Sequence, residues 1–150
     1  MEWVSTSVEQ TEELGRRLGL TAMAGAVIAM DGHLGAGKTA LARGVGVGLQ
    51  VRTRVTSPTY IIVQTHEGGR LPLWHADLYR VGDVSDLEQL GLDELVDEGV
   101  LLLEWASLFS DWLPEDHLQI TLDGEGDERL IHLESTGPLH QALLERAFRD

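Results

Sequence analysis

At 150 residues, with 43% hydrophobic and 24% charged side chains, the chain has the size and composition of one soluble domain with its own core. No apolar run approaches the roughly 20 residues that cross a bilayer, and the lack of cysteine excludes disulfides and thiolate metal sites. A net charge of −14 argues against direct binding of nucleic acid, which depends on Lys and Arg neutralising phosphates, so any role in RNA metabolism should run through a partner protein; the plainer and favoured reading is that the charge only keeps the protein soluble.

The first ten residues, MEWVSTSVEQ, lack the basic start and apolar stretch of a secretory signal, so a cytoplasmic location is expected. Ser7 and Gln10 have the spacing of a capping box. A helix is predicted to follow, with Val8, Leu14 and Leu18 roughly on one side. Ala26 to Met30 is a short apolar run of the kind that forms a buried parallel strand. A glycine-rich turn, Gly32 to Gly37, comes directly after it, and helix-favouring residues then run from Lys38 to about Leu49. Gly44, Gly46 and Gly48 weaken that helix; they allow either close packing on the sheet or a frayed end.

Ser57-Pro58-Thr59 breaks the chain. Tyr60 to His66 and Leu71 to Ala76 read as two strands around the hairpin loop Glu67-Gly68-Gly69-Arg70. Asp83 to Glu98 reads as helix interrupted at Gly91. Val100 to Leu103 is a second fully apolar run, ending on Glu104. His117 to Asp123 and Arg129 to Glu134 alternate apolar and polar residues as paired strands do, and a last helix is predicted from about Pro138. The alternation of strands and helices predicts an α/β fold of the P-loop NTPase type: a mostly parallel sheet flanked by helices, with an antiparallel hairpin, over residues 1–150 as a single domain.

Gly32-His33-Leu34-Gly35-Ala36-Gly37-Lys38-Thr39 satisfies G-x-x-x-x-G-K-[ST] at every fixed position, after a predicted strand and before a predicted helix. Glycines let the backbone curl so that amides of Gly32, Leu34, Gly35, Ala36 and Gly37 can face phosphate oxygens. The helix start adds unsatisfied N–H groups and the positive end of its dipole. In this pattern Lys38 reaches the β- and γ-phosphates, and the Thr39 hydroxyl completes the shell of a Mg²⁺ ion. No N-K-x-D segment for guanine is present, so ATP is the expected nucleotide.

Such a Mg²⁺ needs an acid at the end of another core strand. Glu104 and Asp77 both end predicted strands, at the edge where open α/β sheets bind ligands. One would hold the metal, directly or through water, and the other would orient the attacking water or act as a base. Ser57-Pro58-Thr59 is either a switch that senses the γ-phosphate or a capped turn. Trp105 is placed near the nucleotide or in the core, His33 faces solvent, and His75 reads as a structural histidine.

The phosphate loop followed by Arg43, then Ser57-Pro58-Thr59-Tyr60, His75-Ala76-Asp77-Leu78-Tyr79-Arg80 and Glu104-Trp105, resembles the TsaE (formerly YjeE) family in order, spacing and total length. The resemblance runs from the first helix to about Leu133. It implies a Mg²⁺-dependent ATPase in the synthesis of N6-threonylcarbamoyladenosine at position 37 of tRNA. The partners implied are a TsaB–TsaD heterodimer, with tRNA met only indirectly and no membrane. It also implies that Lys38 and Thr39 carry nucleotide and Mg²⁺, that Glu104 contacts Mg²⁺ and that Asp77 is catalytic or metal-linked. Trp105 is implied near the nucleotide and Thr59 in a switch. The segment Ser7 to Thr11 and the Arg129 hairpin are implied at the edge of the adenine pocket. Family members usually carry Asp or Glu where this chain has His33, and often Pro where it has Ala106. Two other readings follow from the loop alone: a small-molecule kinase, disfavoured by the few unclustered arginines, and a non-catalytic nucleotide switch. Arg43 and Arg80 are the internal candidates for an arginine that meets the γ-phosphate.

Overall fold

Two apolar runs make the middle of the sheet: Ala26–Gly32 (β2) and Val100–Glu104 (β5) lie side by side and parallel. The computed structural model describes residues 1–33, 35–56 and 62–149. Its other strands are Glu2–Ser5 (β1), Val63–His66 (β3), Leu73–Asp77 (β4), Leu118–Asp123 (β6) and Arg129–Ser135 (β7). Its helices are Val8–Thr21 (α1), Lys38–Leu49 (α2), Val84–Gln89 (α3), Leu92–Leu95 (α4) and Pro138–Ala147 (α5). The strand order is β1-β7-β6-β2-β5-β4-β3. The central strands β6, β2, β5 and β4 are parallel, and an antiparallel ladder closes each side. This is the expected α/β class.

The buried strands face two cores because successive side chains point to opposite sides. Ile28, Leu102 and Ile120 meet Leu14, Leu18 and Leu41 of α1 and α2. Val27, Ala29, Leu101 and Leu103 meet Leu78, Leu87 and Leu92 on the other side.

Helix α1 starts as its cap residues predict. Ser7 Oγ accepts from the Gln10 amide at 3.1 Å, and Gln10 Oε1 reaches back to accept from the Thr6 amide at 2.7 Å. Leu14 and Leu18 are buried, but Val8 is 56% exposed. At 100° per residue Val8 lies about 240° from Leu14, so Thr11 takes the inward position instead.

The glycines of α2 do not serve packing on the sheet, and the helix is continuous to Leu49. They meet α1. A Cβ on Gly44 would lie 2.0 Å from the Glu12 carbonyl oxygen, and one on Gly48 would lie 2.3 Å from that of Arg16. Gly15 and Gly19 of α1 answer at 2.2 Å from Leu41 and Val45 carbonyls. The two helices cross backbone to backbone, which only Gly permits.

Strand β1 had no sequence expectation. Four residues are too few to show a pattern, and its existence depends on β7, where Trp3 opposes Ile131. The predicted helix 83–98 is divided into α3, α4 and a 3₁₀ turn at Val96–Glu98, because Gly91 takes the left-handed conformation at φ 70°.

One histidine joins the sheet to α5. Val27 lies one residue before the part of β2 that pairs with β6, and its N–H donates to His140 Nε2 at 2.9 Å. That fixes the tautomer: Nδ1 carries the proton and donates to Asp116 Oδ1 at 2.7 Å. Asp116 also accepts the Leu139 amide, doing the capping that Gly137 cannot. Burial pushes the imidazole of His140 below its usual range; the bond to Asp116 and its charge oppose this, and nearby His117 adds to it. The folded state therefore favours neutral His140. Its contribution is complete above the unfolded value near 6.5 and is lost as pH falls from there through the folded value. We expect the Tm to fall over that acid window and the fall to be shallower in His140→Gln, which keeps an acceptor but does not titrate. His66, also pushed down by burial and then by the nearby His75, titrates in the same direction, so His66→Gln serves as the control. Thermal melts from pH 7.5 to 5 measure this.

Candidate nucleotide-binding site

The turn between β2 and α2 is shaped by glycines at two positive φ values, 83° at Gly35 and 108° at Gly37. Gly37 is the N-cap of α2 and supplies no side-chain acceptor, so the first-turn amides are left for an outside partner. Gly32 is needed for a different reason. A Cβ there would sit 2.9 Å from the Leu122 carbonyl oxygen and 3.1 Å from the Ala36 methyl.

Lys38 begins α2 and is 6% exposed. Its Nζ donates to the Gly32 carbonyl at 2.7 Å and lies 3.8 Å from the centroid of the Trp105 ring. Burial pushes its amine below the usual lysine range, and the carboxylates of Glu104, Asp77 and Asp31 pull it back. These acids come from three adjacent strands. Asp77 and Glu104 are directly paired in the β4–β5 ladder, and Glu104 is paired with Met30 of β2.

Each acid has its own partners. Glu104 is buried and its Oε2 lies 2.6 Å from His75 Nε2. Asp77 Oδ1 accepts the Tyr79 amide at 3.0 Å, which starts the 3₁₀ turn Leu78–Arg80. Asp31 accepts from the Ser107 amide and hydroxyl and from Gln119 Nε2, pinning the chain after β5 and the side of β6 to the end of β2. Trp105 holds a left-handed backbone at φ 59°, unusual for a non-glycine residue, while its amide donates to Met30 at 3.0 Å. Tyr79 packs against its ring, with centroids 5.2 Å apart and planes tilted by 48°.

The β6–β7 hairpin reaches the loop through Arg129. Its Nε donates to the Ala36 carbonyl at 3.0 Å and its Nη2 to that of Gly35 at 3.1 Å. Its Nη1 donates to Gly126 and Glu128 carbonyls. The Gly35 and Ala36 carbonyls are thus tied to the hairpin. Next to them is a cleft of about 110 Å³ between Ser7, Thr11, Gly37, Asp127 and Arg129. A larger open cavity of about 710 Å³, near Leu133, Gln141 and Phe148, has no phosphate-loop residue in its lining.

Lys38, Asp77, Glu104, Trp105 and the loop residues Gly32, Gly35, Ala36 and Gly37 are therefore brought to one end of the sheet, with half-buried Thr39 in the first turn of α2. Leu34 and Thr59, also expected here, lie outside the described residues. Arg43 is not turned to this site: its Nη1 pairs with Glu12 Oε1 of α1 at 2.7 Å. Sequence reasoning missed Asp31, the grip of Arg129 on the loop and the bond to Glu104 made by His75, which it read as structural. The position of Asp31, directly before Gly32 at the end of a core strand, was the available signal.

A glycine turn between a core strand and a helix, with a buried lysine facing two strand-end carboxylates, defines a P-loop nucleotide-binding fold. Residues 5–131 match the protein family described as threonylcarbamoyl adenosine biosynthesis protein TsaE, and the chain belongs to that family. It is 38% identical to the tRNA threonylcarbamoyladenosine biosynthesis protein TsaE of Bacillus subtilis over 99% of this chain and 94% of that one. It is 41% identical to the protein of the same description from Streptomyces coelicolor, over 83% and 88% of the two chains. The crystal structure of YdiB from Bacillus subtilis superposes with a TM-score of 0.82 at 33% identity, covering 98% of this chain and 93% of that one. Among the described residues no helix is long and apolar enough to cross a membrane.

If the grip of Arg129 organises the loop, Arg129→Ala should weaken nucleotide binding by about 10- to 100-fold, the worth of two charge-assisted hydrogen bonds. Arg129→Lys should recover little of it, since an ammonium cannot span two carbonyls as a guanidinium does. Calorimetric titration with ADP measures both.

Proposed function

We propose that this protein is a cytoplasmic Mg²⁺-dependent ATPase subunit for threonylcarbamoyladenosine modification of tRNA, acting with a TsaB–TsaD heterodimer. The observation that carries the reading is Lys38 at the strand–loop–helix junction, buried and faced by Glu104, Asp77 and Asp31. The residues present fit the two groups implied. Glycines with positive φ and an open helix start suit a polyphosphate, and a hydroxyl with strand-end carboxylates suits a hard divalent cation.

In this reading the amides of Gly35 to Thr39 bind the phosphates and Lys38 exchanges its Gly32 and Trp105 contacts for the β- and γ-phosphate oxygens. Thr39 and Glu104 would hold Mg²⁺, which spreads the charge that develops on the γ-phosphate. Asp77 would orient the attacking water or take its proton. Leu34 completes the loop, and Thr59 is assigned to the γ-phosphate switch. The cleft beside Ser7 and Thr11 would take the base. Arg43, one of the two internal candidates, is committed to Glu12, which supports a stimulating group from the partner and slow turnover alone. The net charge of −14 suits a subunit that meets tRNA through that partner.

Reconstitution of tRNA modification tests the reading. Multiple turnovers with TsaB–TsaD should require this protein, and ATP hydrolysis should be faster with the heterodimer than without it. Equal product with and without the protein would count against it. Glu104→Ala separates hydrolysis from a pure nucleotide switch: turnover lost with assembly retained supports catalysis, and assembly lost supports the switch.

A further inference from the structure

His75 lies next to the candidate site, wholly buried, and its Nε2 is 2.6 Å from Glu104 Oε2. A carboxylate accepts, so Nε2 carries a proton, and in the neutral ring Nδ1 is then an acceptor. Buried atoms without a hydrogen-bond partner among the described residues include His75 Nδ1, His66 Nε2 and Gln64 Oε1. The β3–β4 register puts all three side chains on one face: Gln64 opposes His75, and His66 follows Gln64 by two residues.

The polarities of these atoms match. Thr53 Oγ1 lies 2.6 Å from His66 Nδ1. If the hydroxyl donates there, His66 Nε2 carries its proton and is a donor. The face then holds one donor, His66 Nε2–H, and two acceptors, His75 Nδ1 and Gln64 Oε1.

We propose that His75 is a positioning residue for the phosphate site, gripping Glu104 by Oε2 and so presenting its other oxygen. The proposal rests on the reading of Glu104 as a Mg²⁺ contact. A partner that orients a metal-binding group is commonly worth 10- to 100-fold in metal affinity.

The test compares His75→Leu with His75→Gln, similar in size, of which only Gln can donate to Glu104. Calorimetry measures ADP affinity with and without Mg²⁺. His75→Leu should keep its metal-free affinity while the gain from Mg²⁺ shrinks by about tenfold, and His75→Gln should keep most of that gain. Nitrogen-15 shifts of the wild-type imidazole should report the Nε2–H tautomer. An undiminished Mg²⁺ gain in His75→Leu, a gain lost equally in His75→Gln, or an Nδ1–H tautomer would overturn the proposal. If His75→Leu does not fold, His75→Gln and the tautomer decide. Wild-type protein that binds ADP with no gain from Mg²⁺ overturns the reading of Glu104 and the proposal with it, whereas a wild-type gain unchanged in His75→Leu overturns the proposal alone.

Discussion

Lys38→Met is expected to lower ATP turnover by about 10²- to 10³-fold while leaving the protein folded. The two halves of that statement have separate physical causes. A methionine fills much of the space of the lysine stem but removes the charge that would meet the β- and γ-phosphates, a loss felt most where charge develops. Stability follows the folded-state titration instead. Burial holds the Lys38 amine below its unfolded value of 10.5, against the opposing pull of Glu104, Asp77 and Asp31. A group depressed in this way adds stability only above its unfolded value, so at pH 7 its charge contributes none. Removing it relieves desolvation and loses the Gly32 hydrogen bond and the Trp105 contact, and the Tm should stay close to wild type. Steady-state phosphate release with the heterodimer present, together with a thermal melt, checks both. A variant that loses turnover only because it unfolds would contradict this account of the site.

Gly44→Ala should be the most damaging conservative change in the chain. In an ordinary exposed helix, replacing Gly by Ala gains about 1 kcal/mol. Here the new Cβ would lie 2.0 Å from the Glu12 carbonyl oxygen, 2.8 Å from its carbon and 3.0 Å from the Arg16 amide nitrogen. Those atoms are backbone of a neighbouring helix and cannot turn aside as a side chain could. Helices α1 and α2 must separate, which opens the core between Leu14, Leu18 and Leu41. We expect a net loss of about 2–4 kcal/mol, or roughly 5–15 °C in Tm for a domain of this size. Val47→Ala, at a position 60% exposed on the same helix, should change the Tm little. A Tm raised by Gly44→Ala would show that the helices do not cross so closely.

Those glycines illustrate how sequence legibility divides. The strands β2 and β5 and the phosphate loop could be read because each is a local pattern: an apolar run, a fixed glycine spacing, an acid at a strand end. The α2 glycines signalled a close approach, but only the fold assigns that of Gly44 and Gly48 to α1 instead of the sheet. Strand β1 was illegible because four residues gain strand character only from β7. Val8 was misassigned by counting an apolar residue toward a face that helical rotation puts elsewhere. Within the site, Lys38 and Glu104 were legible from motif and strand end. The bond from His75 to Glu104 was not, because it joins strands 29 positions apart whose register no local pattern reveals. Arg129 was placed at the nucleotide pocket by resemblance alone, and its hold on the Gly35 and Ala36 carbonyls is a product of how the hairpin folds over the loop.

On the proposed reading, the turn from Gly32 to Thr39, with Lys38 and the acids around it, binds a magnesium polyphosphate. Titrating isotope-labelled protein with Mg²⁺ and a non-hydrolysable ATP analogue, while following backbone amides, tests it most directly. Saturable shifts centred on Gly35 to Ala40 and on the Trp105 indole are the predicted result. No binding, or shifts centred on the cavity beside Leu133 and Phe148 with those amides unmoved, would contradict it.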